Sequence, residues 1–231
     1  MRLLNPGDPG YPRGLLDMAR PSRVYCVGNA LPGDTRSVAI VGTRAPSSDG
    51  EARARRLAAR LALDAVTVVS GLARGIDTAA HLSCLDAGGR SIAVLGCGLD
   101  RVYPPENAPL AERIAARGAV LSRQPPGAPP TASALRARNL LIAALARAVV
   151  VIEAGSTSGA RITARFALSL GRPLFLTAGV AAADWAKDLI RHPGAAVLPE
   201  DAAVEALEAS LAPSRPLSAV PVQLWLPEPG A

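Results

Sequence analysis

The stretch Ser37-Val-Ala-Ile-Val-Gly-Thr-Arg44 shows the pattern that decides the fold. It is a short apolar run, rich in β-branched residues, that ends in a glycine turn carrying an arginine, and a helix-like stretch follows at once. The run is apolar at every position rather than at alternate positions. It therefore predicts a strand that is buried on both faces, as in parallel sheets covered by helices.

The same order of strand, turn and helix recurs three more times. The other turns are Ser70 to Gly75, Gly96 to Gly98 and Gly155 to Arg161, after apolar runs at 66–69, 92–95 and 149–152. Right-handed crossovers keep such strands parallel, so all four turns are expected at one carboxyl edge of a sheet, where open α/β folds bind ligands. Three of the four turns carry an arginine, and arginines and helix N-terminal amides both favour phosphate. The sequence predicts a doubly wound, mainly parallel α/β sheet with a phosphate-binding edge.

The chain divides into a lead-in, a core and a tail. Residues 1–36 are rich in proline and glycine and are expected to pack on the core as a lead-in. Residues 37–199 alternate strand and helix patterns, which predicts one Rossmann-like core. For residues 200–231 the sequence predicts a short helix and a proline-rich tail with Trp225. This segment is expected to be too short for a winged-helix domain. Helices are predicted near 51–63, 77–87, 108–117, 133–146, 160–170 and 202–211, and later strands at 119–121 and 174–177.

Composition points to a polyanionic partner. The 231 residues are 49% apolar with a net charge of +6, and only Lys187 among the 25 basic residues is a lysine. Arginine supplies bidentate phosphate donors, so a basic surface of this kind favours a polyanion. The three cysteines lack metal or redox spacing and predict buried thiols in a reducing cytoplasm. No run reaches the roughly 18 apolar residues of a membrane span.

The sequence shows no catalytic motif of the common kinds. It has no phosphate-binding loop with a lysine, no paired cysteines and only two histidines, His81 and His192. We therefore predict no metal, no cofactor and no enzyme activity. His81 lies one helical turn after Asp77, and we expect it to cap or pack beside the site, held by Asp77.

Five segments together resemble the successive motifs of the DNA-processing protein A family (DprA, also called Smf). They run in order between about Tyr11 and Gly179, and they are Ser37 to Arg44, Val69 to Asp77 with His81, Ala93 to Asp100 with Tyr103-Pro104 and Asn107, Arg138-Asn139, and Ser158 to Ala164. The resemblance implies an extended Rossmann-like core that binds single-stranded DNA and forms a homodimer. It also implies protection of incoming DNA and help in loading RecA recombinase during natural transformation. One departure is that Leu135-Arg136 stands where the family usually has Phe-Pro.

The predicted DNA-binding residues come from the turns and from one helix. They are Gly42, Thr43 and Arg44; Ser70, Gly71, Arg74 and Gly75; Arg138 and Asn139; and Ser158, Gly159 and Arg161. Other roles stay open. Arg44 can pair with a surface carboxylate, Arg74 can pair with Asp77, Ser158 can cap a helix, and the glycines can serve only the turn geometry.

Two other functions remain alternatives. One is a nucleotide-processing Rossmann-like enzyme similar to the phosphoribohydrolases, which carry Pro-Gly-Gly-x-Gly-Thr and a glutamate at the equivalent late turn. Here the turn is Gly155-Ser-Thr-Ser-Gly159, and the nearby acid is Glu153 at the end of the strand. The other is a degenerate paralogue that has lost DNA binding and serves as a scaffold.

Overall fold

The computed structural model describes residues 1–30, 36–200 and 202–211; the predicted proline-rich tail with Trp225 lies outside these ranges. Within them, a nine-stranded sheet forms the centre, in the spatial order β1-β2-β6-β5-β4-β3-β7-β8-β9. The strands are β1 (Arg2–Leu4), β2 (Val24–Gly28), β3 (Ser37–Val41), β4 (Thr67–Ser70), β5 (Ser91–Leu95), β6 (Ala119–Ser122), β7 (Ala148–Val151), β8 (Leu174–Leu176) and β9 (Ala195–Val197).

The sheet is parallel from β6 to β9, and only its β1-β2 edge is antiparallel. From β3 the chain winds outward through β4, β5 and β6, and then crosses to the other side through β7, β8 and β9. The order of strands reverses between β3 and β7, which is the switch point where open α/β sheets bind ligands. The prediction of a doubly wound, mainly parallel sheet is confirmed.

The lead-in extends the sheet. Its strand β2 pairs with β6 in an antiparallel register, and β1 pairs with β2. Between them, a short 3-10 helix (Arg13–Asp17) buries Leu15 in the same apolar cluster as Leu145. The proline and glycine content of this segment gave no sign of strands. The reason is that strands of three to five residues are too short to show a periodic pattern.

Helices cover both faces of the sheet. The longer ones are α1 (Ser48–Leu63), α2 (Ile76–Asp86), α3 (Ala108–Arg117), α4 (Ala132–Leu145), α5 (Ala160–Ser169) and α8 (Ala203–Leu211), with the short α6 (Ala178–Ala181) and α7 (Lys187–Ile190). Within β3, Val38 and Ile40 pack with α1 and α2, whereas Ala39 and Val41 pack with α4 and α5. This double burial explains why the β3 run is apolar at every position.

Two helices begin earlier than predicted because hydroxyl side chains cap them. The Ser47 Oγ accepts a hydrogen bond from Gly50 N at 3.0 Å, and α1 begins at Ser48 rather than near residue 51. The Thr131 Oγ1 accepts one from Ala134 N at 3.1 Å, and α4 begins at Ala132. No helix among the described residues is long and apolar enough to cross a membrane.

Candidate nucleic-acid interface

A groove of about 530 Å³ opens at the switch point, between the turns after β3 and β7 and the start of α4. Seven of the predicted residues line it, namely Gly42, Thr43, Arg44, Arg138, Asn139, Ser158 and Gly159. A second, small pocket of about 20 Å³ adjoins it and shares Arg44 and Arg138. Gly71 and Arg74 line this second pocket, whereas Ser70, Gly75 and Arg161 line neither.

Arg44 is the exposed cation of the first turn. It lines both pockets and forms no hydrogen bond or ion pair with any residue in the described ranges. The turn itself is fixed, because Thr43 N donates to Glu153 O at 2.7 Å and Ile76 N donates to Thr43 O at 3.2 Å. A Cβ on Gly42 would lie 2.8 Å from Ile76 Cβ, so close packing requires this glycine. Arg44 is therefore a free guanidinium on a rigid support.

The second turn already binds a carboxylate of the protein itself, that of Asp77. The Asp77 Oδ2 accepts hydrogen bonds from Gly71 N at 3.2 Å and from Ala73 N at 3.3 Å. The Gly71 amide, one of the predicted DNA contacts, thus already has an acceptor within the protein. Gly75, with φ of +74° and its α-carbon against the first turn, serves the turn geometry. Ser70 is buried and donates from its Oγ to Ile40 O.

Arg138 lies in the inner wall of the groove and is only 8% exposed. Its Nη1 donates to Gly71 O and to Val94 O, which ties α4 to the second turn and to β5. Burial lowers the pKa of Arg138, and the Asp77 carboxylate opposes that shift. Burial likewise raises the pKa of Asp77, with Arg138 opposing. The pair is a buried internal brace for the turn, in which each charge offsets the desolvation of the other.

Asn139 braces the fourth turn in the same way. Its Nδ2 donates to Gly159 O at 3.3 Å, which ties α4 to the turn before α5. The Ser158 Oγ accepts from Ala160 N at 3.3 Å at the start of α5. Gly155 and Thr157 stay exposed on the groove wall.

Two of the predicted arginines have partners that the sequence did not indicate. Arg74 forms an ion pair with Glu106, not with Asp77, and both side chains are about half exposed. Exposed pairs of this kind contribute little, so Arg74 can exchange Glu106 for a phosphate. The Arg161 guanidinium lies over the Trp185 ring, 5.4 Å from its centroid, and away from the groove lining.

Glu153 caps α1. Its carboxylate accepts hydrogen bonds from Ser47 N at 3.2 Å and from Ser47 Oγ at 2.7 Å. A carboxylate at a helix N-terminus is stabilised by the helix dipole, which accounts for its position. The same contact fixes the end of the turn that carries Arg44.

His81 is a neutral core residue. Its Nδ1 lies 2.7 Å from Ser91 Oγ, which itself donates to Val68 O, so the histidine Nδ1 is the donor. The expectation that Asp77 holds His81 is wrong, because Ser91 takes that place. Burial, with the nearby charge of Arg138, lowers the pKa of His81 to about 3. Within the described residues, no group of three or more histidine, cysteine or acidic side chains is placed to hold a metal ion.

The doubly wound sheet, with its groove where the order of strands reverses, defines a Rossmann-like α/β protein. More specifically, the model of the DNA recombination-mediator protein A family matches residues 2–207, and the chain belongs to that family. Protein Smf of Synechocystis sp. is 46% identical over 179 residues, which is 75% of this chain and 45% of the relative. The chain thus spans about half the length of the curated relatives it matches.

Two solved structures share the fold. DNA processing protein A from Helicobacter pylori, described for its single-stranded DNA binding mode, superposes with a TM-score of 0.78 at 28% identity. The match covers 90% of this chain and 96% of that one. DprA from Streptococcus pneumoniae gives a TM-score of 0.75 at 35% identity, over 88% of this chain and 74% of that one.

Proposed function

We propose that the chain is a recombination mediator that binds single-stranded DNA in the switch-point groove. The observation that carries this proposal is Arg44, an exposed guanidinium without a partner in the described residues, on a turn held rigid from behind. Exposed turn residues from Gly155 to Gly159 face it across the groove. A cation and backbone amides on a fixed frame suit a phosphate chain. The Helicobacter pylori relative, which binds single-stranded DNA, supports the same ligand.

The groove favours contacts to the DNA backbone over base recognition. Arginine and main-chain groups recognise phosphate in any sequence, and phosphate contacts position nucleic acid without specifying bases. We expect single strands to bind with little sequence preference and more tightly than duplex, since a single strand can bend its backbone into a concave edge. Release of counterions should make this binding strongly dependent on salt.

The cellular role proposed for the chain follows from its family. We infer that it protects incoming single strands and helps to load RecA during natural transformation, as a cytoplasmic homodimer. The family membership and the DNA-processing names of the two solved relatives support this role. RecA filament formation on single-stranded DNA, measured with and without the protein, tests it. No stimulation at any protein concentration would contradict it.

Glu153 supports a binding protein rather than a phosphoribohydrolase-like enzyme. Its carboxylate already accepts hydrogen bonds from the backbone N and the Oγ of Ser47, the capping residue of α1, so it is held as a structural acceptor. A general acid or base must instead reach the proton that it transfers.

A titration of the purified protein with labelled oligonucleotides, single-stranded against double-stranded, tests the proposal directly. A site that neutralises three or four phosphates of a single strand should give a log-log salt slope of about −2 to −3. Equal affinity for duplex, or an affinity independent of salt, would overturn the proposal.

A further inference from the structure

Tyr103 is an exposed aromatic side chain at the edge of the proposed DNA site. It is 41% exposed and lines the small pocket together with Arg44 and Arg74. That pocket, at about 20 Å³, holds about one water and is far too small for a nucleobase. A ligand that uses the ring must therefore lie on it from the solvent side.

The backbone around Tyr103 is anchored on both sides. Before it, Gly98 N donates to Ala128 O at 3.0 Å, and Val102 packs on an apolar cluster. After it, Pro104 is buried, and the Asn107 Nδ2 donates to Leu72 O and to Thr78 Oγ1, both at 2.9 Å. The ring is thus carried by an ordered loop, so stacking on it costs little backbone entropy.

The other aromatic side chains among the described residues are less available. Tyr11 and Phe175 are buried, and Tyr25, Phe166 and Trp185 are half-buried. Trp185 is also covered on one side by the Arg161 guanidinium. Within the described ranges, Tyr103 is the one exposed aromatic residue, and it lies beside two arginines that face solvent.

We propose that Tyr103 is a stacking platform for one base of the bound single strand, next to the phosphates held by Arg44 and Arg74. The inference rests on the proposed function, since it assumes that the strand occupies this edge. Every base has a π-face, so stacking on an aromatic ring adds affinity without selecting a sequence. The strand then runs from the switch-point groove across the turn after β4 to the loop after β5.

Two oligonucleotides separate stacking from phosphate binding. One is an ordinary single strand, and the other is an abasic strand of the same length with identical phosphates. Tyr103→Ala should weaken binding of the ordinary strand roughly tenfold and leave the abasic strand unchanged, because base stacking on aromatic rings is worth this much. Tyr103→Phe should retain the parent affinity, and Val197→Ala, an exposed apolar residue on edge strand β9, is the matched control. Each variant is first checked for an unchanged Tm.

Each outcome decides the proposal. If Tyr103→Ala binds the ordinary strand as well as the parent does, no base stacks on the ring and the proposal is overturned. If Tyr103→Ala weakens binding of both strands equally, the side chain affects binding only through the conformation of its loop and not by stacking on a base. The proposal is again overturned. If the parent binds neither strand, the proposed function fails and the inference fails with it. As a second readout, Tyr103→Trp should show fluorescence quenched by the ordinary strand and not by the abasic one.

Discussion

Arg44→Ala should remove the strongest contact to phosphate in the groove. The guanidinium is exposed and unpaired among the described residues, so binding gains a charge-assisted hydrogen bond without breaking an internal ion pair. Such a bond contributes about 1.5 to 3 kcal/mol, or roughly ten- to a hundredfold in affinity. Loss of one neutralised phosphate should also make the log-log salt slope shallower by about 0.7. The variant should melt like the parent, since the structure shows no intramolecular partner in the described ranges.

The matched control is Arg56→Ala, on α1. Arg56 is exposed, carries the same charge and lines a separate groove between α1 and α8. The Arg56→Ala substitution should reduce the binding free energy by less than about 0.5 kcal/mol, as expected for a distant exposed charge. Both variants are titrated by fluorescence anisotropy against one labelled single strand at one fixed salt concentration. If Arg44→Ala binds as well as Arg56→Ala, the groove is not the DNA site and the proposed function loses its main physical support.

Three further predictions test the brace behind the groove, the buried histidine and the absence of catalysis. Gly71→Ala would drive a Cβ into the Arg138 guanidinium and to 2.8 Å from Asp77 Oδ2. It should lower the free energy of unfolding by on the order of 2 kcal/mol, and an unchanged urea midpoint would refute the brace. Folded His81 stays neutral to about pH 3 whereas unfolded histidine titrates near 6.5, so its stabilising contribution is lost as pH falls through this window. Between pH 7 and pH 5 the parent should therefore lose about 2 kcal/mol more than His81→Gln, and parallel pH profiles would contradict this. Finally, AMP and ATP should remain intact by chromatography, and a turnover that Glu153→Gln abolishes would instead identify an enzyme.

The fold could be predicted from the sequence because burial on both faces leaves a local signature. The runs at 38–41, 92–95 and 149–152 are apolar at every position, and the run at 66–69 departs from this only at Thr67. Each run is followed by a glycine turn and a helix. Right-handed crossovers then leave little choice of topology. By contrast, β1, β2 and β9 lie at or next to the edges of the sheet and have only three to five residues. Their pairing depends on contacts with strands about 20 or more positions away in the chain.

The region of the site could also be predicted, but not the direction in which each side chain points. Arg44 and Arg138 both follow from the motifs, yet Arg44 faces solvent whereas Arg138 is only 8% exposed in the inner wall of the groove. Arg161 leaves the groove because Trp185, 24 positions later in the sequence, offers its ring. No local sequence pattern indicates such a partner. Tyr103 was missed as a site residue because its exposure depends on the anchored loop around it.

The polar residues around the groove show how a motif can shape the site through contacts inside the protein. Asp77 holds the amides of the second turn, Asn139 holds the fourth turn, and Glu153 holds the start of α1 beside the first turn. Each of these side chains forms a hydrogen bond with a backbone or hydroxyl group of a turn. These hydrogen bonds restrict the movement of the turns. The turns are therefore preorganised from inside, which lowers the ordering cost of binding. Substitution of such a residue should weaken binding together with a loss of stability, whereas substitution of Arg44 should weaken binding alone.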